Sequence, residues 1–487
     1  MKKRASLKVI LSLWIFFSVL AAGSLLEAQR HPSELAPPPP LQFTPPAIQK
    51  FTVGKGITVY YIEDRELPVV NMVAYFKAGS LYEPAEKAGL ASLTGTVMRT
   101  GGTARMTGDE IDEELEFLAA RVETSIGQEF GQVNLSCLKK DLARVLEICA
   151  DILMTPAFRQ DKIDLAINQM KESIRRRWDM PFAVANLIYN EKLYGTDSPY
   201  ARRSTFATLD NISREDLIAF HRKYFAPNNM YVGITGDISS AEVRRALNRV
   251  FQKWNPKKIE FPPVPPVQDN VKKAVYYVYK DTPQANIFLG HFGVRRNHPD
   301  QFKLEIMNYV LGGGGFSSRL MRELRSNRGW TYGIYGGVMT GRDRGPFMIG
   351  STLRAEVLGE ALPLIEEIVK SMQANPIKDE EMEEAKNYMI NSFVFNFESK
   401  LSILIQKINY TLMGYPEDYL EKYIDNIKKV TKEGVHEAAR QHLEPDRMMI
   451  VVCGDKKRFD KPLETFGPVE EVDLKAIIDK ERASLTK

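Results

Sequence analysis

Three observations in this 487-residue chain predict an α+β fold made of two tandem homologous units, each an antiparallel-rich β-sheet with helices packed on one face. The segment YFAPNNMYVGITGD (from Tyr224) recurs as HLEPDRMMIVVCGD (from His442), with Pro227 matching Pro445 and Gly236 matching Gly454, both at an offset of 218 (445 − 227 and 454 − 236). Near the start of each unit, VYYIED (from Val59) matches VYYVYK (from Val275) at an offset of 216 (275 − 59). Within a unit, strand-like segments alternate with several successive helical ones. That order favours helices gathered on one face of a sheet over a chain of parallel crossovers. A repeat this long marks tandem domains, because solenoid units run about 20–50 residues.

At the start of the chain, MKKRASLK precedes a 14-residue apolar run at 9–22 and then small, polar residues. A basic start, a short apolar stretch and nearby small residues read as a secretory signal, residues 1–28, with cleavage after Ala22 or Ala28. The alternative is an uncleaved anchor, against which stands the need for about 20 apolar residues in a spanning helix. A periplasmic or secreted location is the expectation. Residues 29–47, HPSELAPPPPLQFTPP at their centre, read as an extended proline-rich tether. The first domain is set at 48–259. In it, ITVYYIED and PVVNMVAYFKAG read as strands. Leu90, Leu93 and Val97 stand at helical spacing, and Thr107 with Glu110 forms a capping box ahead of Ile111, Leu115, Leu118 and Val122. FGQVNLSCL alternates as a strand, and LARVLEICADIL is a helix stopped before Pro156. A proline-rich linker, 260–270, leads to the second domain at 271–459. A charged tail, 460–487, wraps the surface or frays.

Composition narrows the function. A hydrophobic fraction of 44% supports sizeable cores. The formal charge of +4 falls to about +1 once Lys2, Lys3, Arg4, Lys8 and Glu27 leave with the signal, which argues against nucleic acid as a partner. No later segment is long and apolar enough to span a membrane. Cys149 lies on the apolar side of a helical pattern, and Cys137 and Cys453 lie in strand-like runs. They read as buried thiols, with a Cys137–Cys149 bridge left open. The six histidines are His31, His221, His291, His298, His436 and His442, and no pair has HxxEH, HExxH or HxH spacing. His221 and His436 sit on helices near the end of each repeat and read as packing or surface residues. The sequence gives no expectation of a metal in this chain. LGGGGFSSR (from Leu311) lacks the GK[ST] ending of a phosphate loop and comes after a helix, so nucleotide binding is not expected. Its four glycines, Gly312, Gly313, Gly314 and Gly315, fit either a helix C-cap and turn or a loop beside a ligand.

FHRKYFAPNNMYVGITGDIS (from Phe220), LYGTDSPYARR (from Leu193) and LRSNRGWTYGIYGG (from Leu324) resemble the insulinase/pitrilysin M16 family of inverted-zincin metallopeptidases, over residues 48–457. The resemblance implies two clam-shell halves. Active members carry HxxEH on the helix after the second strand, where two His on one helix face bind zinc, a Glu activates water, and a further Glu ligand lies downstream. Here the matching stretch is GLASLTGTVMRTGGT (from Gly89). Ser92 and Thr96 stand at the His positions, Gly95 at the Glu, and Ser173 at the downstream Glu, with Glu172 one residue away. Hydroxyls and a glycine do not hold zinc, so the resemblance implies a site that has been lost.

In the family, the second half supplies an Arg and a Tyr seven residues apart that bind substrate and stabilise charge on the attacked carbonyl. Arg325 and Tyr332 have that spacing. Read from the residues alone, they fit a solvated helix end and a sheet position. The glycine run resembles the family's glycine-rich loop near substrate, and Tyr200, Arg202 and Arg203 fall in a family loop that is structural or functional. The resemblance implies a zinc-less, non-catalytic subunit of a heterodimeric peptidase. An HxxEH-bearing homologue would hold the zinc, and peptide would be the substrate. Two other classes stay open: a peptide-binding scaffold, and a structural core subunit of a larger complex.

Overall fold

The computed structural model describes residues 46–483. The signal segment, His31 and nearly all of the tether lie outside the described residues. Strands β1 (Gln49–Val53), β2 (Ile57–Glu63), β3 (Val69–Lys77), β4 (Arg121–Ile126), β5 (Phe130–Leu138) and β6 (Met230–Gly236) form one sheet in the order β1-β2-β6-β3-β5-β4. β7 (Val275–Tyr279), β8 (Gln284–Phe292), β9 (Val294–Arg295), β10 (Thr331–Val338), β11 (Thr340–Gly341), β12 (Pro346–Arg354), β13 (Met449–Gly454) and β14 (Val469–Val472) belong to the second half. Its sheet runs β14-β7-β13-β8-β12-β10, with β9 and β11 as a separate ribbon.

The repeat holds at the level of register. Val59 pairs with Val232 across β2 and β6, and Val275 pairs with Ile450 across β7 and β13, both in parallel ladders. The remaining ladders of the first sheet are antiparallel. The halves differ at one edge, where β1 pairs antiparallel with β2 but β14, from the charged C-terminal stretch, pairs parallel with β7.

The helices are α1 (Leu90–Thr100), α2 (Gly108–Phe117), α3 (Leu142–Met154), α4 (Gln160–Arg176), α5 (Pro181–Tyr194), α6 (Arg214–Tyr224), α7 (Ser240–Phe251), α8 (Gln301–Asn308), α9 (Leu358–Ala374), α10 (Asp379–Phe393), α11 (Lys400–Met413), α12 (Tyr419–Lys429), α13 (Lys432–His442) and α14 (Leu474–Ala483), with shorter turns left unlabelled. α2 starts on the expected capping box. Thr107 Oγ1 accepts the Glu110 N–H at 3.1 Å, and Glu110 Oε2 accepts the Thr107 N–H at 2.7 Å. α3 stops at Met154, before a Thr–Pro step that disfavours helix.

Each half buries its own helices on one face of its sheet. Alternate residues Val59, Tyr61, Met72, Ala74 and Phe76 meet Leu93 and Val97 of α1 and Val145 of α3. Tyr277, Ile287, Leu289 and Val452 meet Leu304 of α8, Ile365 of α9 and Val435 of α13. The opposite faces are also covered, by helices the halves exchange. α5 of the first half lies on β8 and β13, where Val184, Ile188 and Leu193 pack on Phe288, Met348 and Val451, and the Tyr189 hydroxyl donates to Phe347 O at 2.8 Å. α11 of the second half lies on β2, β3 and β6, so close that a Cβ on Gly233 would sit 3.0 Å from Leu404 Cβ.

The linker and the C-terminal helix are both anchored. Asp269 in the linker pairs with Arg344 at 2.8 Å and Arg447 at 2.9 Å. Buried Glu481 of α14 accepts from Trp178 Nε1 at 3.0 Å and from Arg203 Nε at 3.1 Å. All three cysteines are free and buried, and burial pushes each thiol up to about 12. Among the described residues no helix is long and apolar enough to cross a membrane.

Candidate functional site

α8 ends in a widened helical turn over Tyr309–Gly313, and the glycine run begins there. A Cβ on Gly312 would fall 2.5 Å from Gly336 N of β10, so this position is glycine because the helix end abuts a strand backbone. Gly315 has φ +57 with open space around it, a left-handed turn that redirects the chain towards Arg319–Asn327. That helical stretch carries Arg325. β10 starts shortly after it, at the edge of the sheet, and its pairing with β12 shifts register between Thr331 and Ile334. The irregularity, held by a Gly333 N–H to Thr331 Oγ1 bond of 3.0 Å, turns Tyr332 outward, 87% exposed.

These pieces line one cleft of about 850 Å³. Gly312, Gly313, Gly315, Arg325, Tyr332 and Arg354 lie on its walls, joined by Phe182 from the exchanged α5. The Arg325 guanidinium stands between two exposed rings, 4.7 Å from the Tyr332 centroid and 4.3 Å from that of Phe316. No ion pair holds Arg325 among the described residues, so its N–H donors face the cleft free to take a carbonyl or carboxylate. Among the described residues the lining contains no His, Cys, Asp or Glu. The cleft can therefore bind and polarise a peptide group, but it offers neither a metal ligand nor a general base of ordinary pKa. Gly314 packs on Tyr309 rather than lining this cleft, and beyond it Tyr309, Glu380, Glu384 and Tyr388 border a separate groove along α10.

The first half places the other expected residues away from this cleft. Ser92 and Thr96 are exposed on α1, and Thr96 Oγ1 donates back to Ser92 O at 3.2 Å. Gly95 is buried, and a Cβ there would lie 2.5 Å from Ile126 N of β4. Thr124 Oγ1 donates to Gly95 O at 2.5 Å across the same contact. Ser173 is exposed on α4, and its neighbour Glu172 is engaged with Arg175. Three hydroxyls and a backbone-packed glycine do not fit a zinc ion.

The family loop around Tyr200 is occupied with structure. Arg202 donates to Glu83 O at 3.0 Å, Arg203 pairs with Glu191 and Glu481, and Tyr200 stacks on Tyr194 at 5.6 Å. Histidines mostly serve packing. His221 Nε2 donates to Leu153 O at 2.9 Å, and burial lowers its pKa to about 4. His436 Nε2 donates to Gln373 O at 2.7 Å. Buried His291 accepts the Glu444 N–H at 2.8 Å. One grouping is invisible in the sequence: His298 and His442, 144 residues apart (442 − 298), converge on Asp300. The available signal was an HPD step just before α8 and a His at the end of α13, which no spacing rule links.

The fold and cleft define a class: a two-halved α+β protein of the inverted-zincin metallopeptidase type, with Ser92, Gly95 and Thr96 on α1. The pattern described as "Insulinase (Peptidase family M16)" matches residues 58–197, and that described as "Peptidase M16 inactive domain" matches residues 211–389. The chain belongs to the M16 peptidase family. It is 24% identical to the non-peptidase homolog YmxG of Helicobacter pylori, over 82% of this chain and 93% of that one. A solved M16 inactive domain from Pseudomonas fluorescens is 28% identical, with a TM-score of 0.77 over 86% of this chain and all (100%) of that one. The periplasmic protease PqqL from Escherichia coli shares the fold at 15% identity, with a TM-score of 0.73 over 85% of this chain and 46% of that one.

Proposed function

We propose that this protein is the zinc-less subunit of a periplasmic M16-type metallo-endopeptidase. An HxxEH-bearing homologue supplies zinc and the general base, and this chain supplies peptide binding and oxyanion stabilisation through Arg325 and Tyr332. The supporting observation is convergence: Arg325, Tyr332, Gly313 and Gly315 meet at one cleft, while α1 retains no ligand. Peptide hydrolysis passes through a tetrahedral oxyanion, and a guanidinium from the helical stretch and a phenol from the edge strand, both aimed at it, lower its energy. The periplasmic assignment rests on the signal-like start of the sequence and on the stated location of PqqL.

The test is reconstitution. This chain and an HxxEH-bearing homologue associate at micromolar concentration, and the pair cleaves peptides that neither chain cleaves alone. Failure to associate, or full activity of the zinc-bearing chain by itself, overturns the reading. The YmxG relative is named a non-peptidase homolog, which fits a second reading in which this chain has no part in cleavage and acts as a peptide-binding protein. In that case the chain alone binds peptides in the cleft and no partner gains activity from it.

A further inference from the structure

We propose that His298, Asp300 and His442 form a binding site for one divalent transition-metal ion of the zinc class, remote in sequence from the α1 face and independent of the peptidase-subunit reading. One ligand atom from each of the three lies within 4.8 Å of the others. His442 Nε2 is 2.9 Å from Asp300 Oδ2, and His298 Nδ1 is 3.8 Å from the same oxygen. The two imidazoles meet edge to face with centroids 5.0 Å apart. Two imidazoles and one carboxylate are the donor set of open zinc sites, with water as a fourth ligand. Bonds of about 2.0–2.2 Å put tetrahedral ligand atoms roughly 3.4 Å apart. The observed separations bracket that value, so small side-chain rotations complete the set. The side chains are 26%, 14% and 15% exposed for His298, Asp300 and His442, which leaves a solvent-facing side for the water.

The repeat supplies an independent argument. Position 442 corresponds to Tyr224 (442 − 218). In the first half Tyr224 packs on Tyr82, a residue of the loop between β3 and α1, at 5.8 Å. His298 lies in the corresponding loop, between β8 and α8. The corner needs only an aromatic pair to pack, yet the second half carries metal-ligating chemistry there. A cation is already drawn to the site, since Lys303 Nζ lies 2.7 Å from Asp300 Oδ1 on a side chain exposed enough (33%) to swing away. Three contacts yield when the ion enters: the Lys303 pair, the Asp300 N–H bond to His298 Nδ1 at 3.1 Å, and the 2.9 Å hydrogen bond between His442 Nε2 and Asp300 Oδ2, whose proton the ion displaces. The bound ion would staple the end of α13 to the loop that leads into α8, the helix that the glycine run follows.

The experiment uses the tag-free full chain, stripped with chelator, titrated with zinc chloride by calorimetry and with cobalt(II) by visible absorption. One equivalent binds, and cobalt gives the absorption of a low-coordinate nitrogen–oxygen site. His298→Gln and His442→Gln each weaken zinc binding at least tenfold. Lys303→Ala tightens it several-fold by removing the competing ammonium. Ser92→Ala with Thr96→Ala leaves it unchanged. Absence of stoichiometric binding overturns the proposal, as does binding that both histidine variants retain. Should a histidine variant misfold, Lys303→Ala decides, because an unchanged or weaker affinity is then the contrary result.

Discussion

Both halves press a helix against the edge strand of their sheet through a glycine, and they do different things with the contact. In the first half Gly95 of α1 meets β4, with 2.5 Å from its missing Cβ to Ile126 N; in the second, Gly312 at the end of α8 meets β10, with 2.5 Å to Gly336 N. The first contact is sealed, capped by Thr124 and faced outward by two hydroxyls. The second opens directly into the loop, Arg325 and the outward-turned Tyr332. The same packing device thus supports a closed surface in one copy and a cleft in the other. The scaffold is shared, and the difference lies in the residues C-terminal to each glycine: an uninterrupted helix in α1, a turn and a glycine-rich loop after α8.

The largest expected effect tests the open half. In the reconstituted pair, Arg325→Ala and Tyr332→Phe each lower kcat/KM by roughly 10²–10³, the loss of one oxyanion donor. kcat falls, rather than KM alone rising. Steady-state kinetics check this, and turnover of Tyr332→Phe within twofold of the parent reduces the tyrosine to packing.

Next comes acid. His221 is buried in the first half, whereas the repeat-equivalent position (221 + 218) is Ala439. Its folded pKa, about 4, lies below the ordinary 6.5, so the neutral ring's contribution is complete above pH 6.5 and disappears as pH falls through 4. A shift of that size corresponds to about 3 kcal/mol. Denaturant unfolding between pH 7 and 4 should show it. His221→Gln should flatten that part of the profile, and an unchanged slope removes His221 as the cause.

Gly95→Ala and Gly312→Ala should each destabilise by about 1–3 kcal/mol, because a methyl there collides with backbone. Only Gly312→Ala should also impair the pair's activity, and equal kinetic losses would erase the distinction between the halves. The smallest effect belongs to Ser92→Ala and Thr96→Ala, within about 0.5 kcal/mol by denaturant midpoint and silent in metal analysis.

Much of the fold was legible in the sequence. The repeat offsets located β2, β6, β7 and β13, because identical registers need matching apolar positions. Thr107 and Glu110 marked α2, because capping is local chemistry. Arg325 and Tyr332 were singled out by the family resemblance, since the residues alone fitted a helix end and a sheet position; in the structure both line the cleft. Phe316 and Phe182 were not legible there, since their places depend on a turn and on a helix from the other half. Nor was the exchange of α5 and α11, because an amphipathic pattern shows that a helix has a buried face but not which sheet covers it. One clue was present. IFLGHF in β8 and MIVVCG in β13 lack the polar alternation seen in β5, as strands buried on both faces do. The three cysteines read correctly as buried thiols, whereas His298 and His442 could be joined only by the fold.

The exchanged helices carry a consequence for how this chain can be divided. An arm given by each copy to the sheet of the other is the geometry of a two-fold dimer whose subunits embrace. Here both copies lie on one polypeptide, and the 260–270 linker turns that encounter from a concentration-dependent event into an intramolecular one. A chain cut in the linker would leave each fragment with a bare apolar sheet face and an unpartnered helix. The two fragments should then find each other again, as the subunits of such a dimer would.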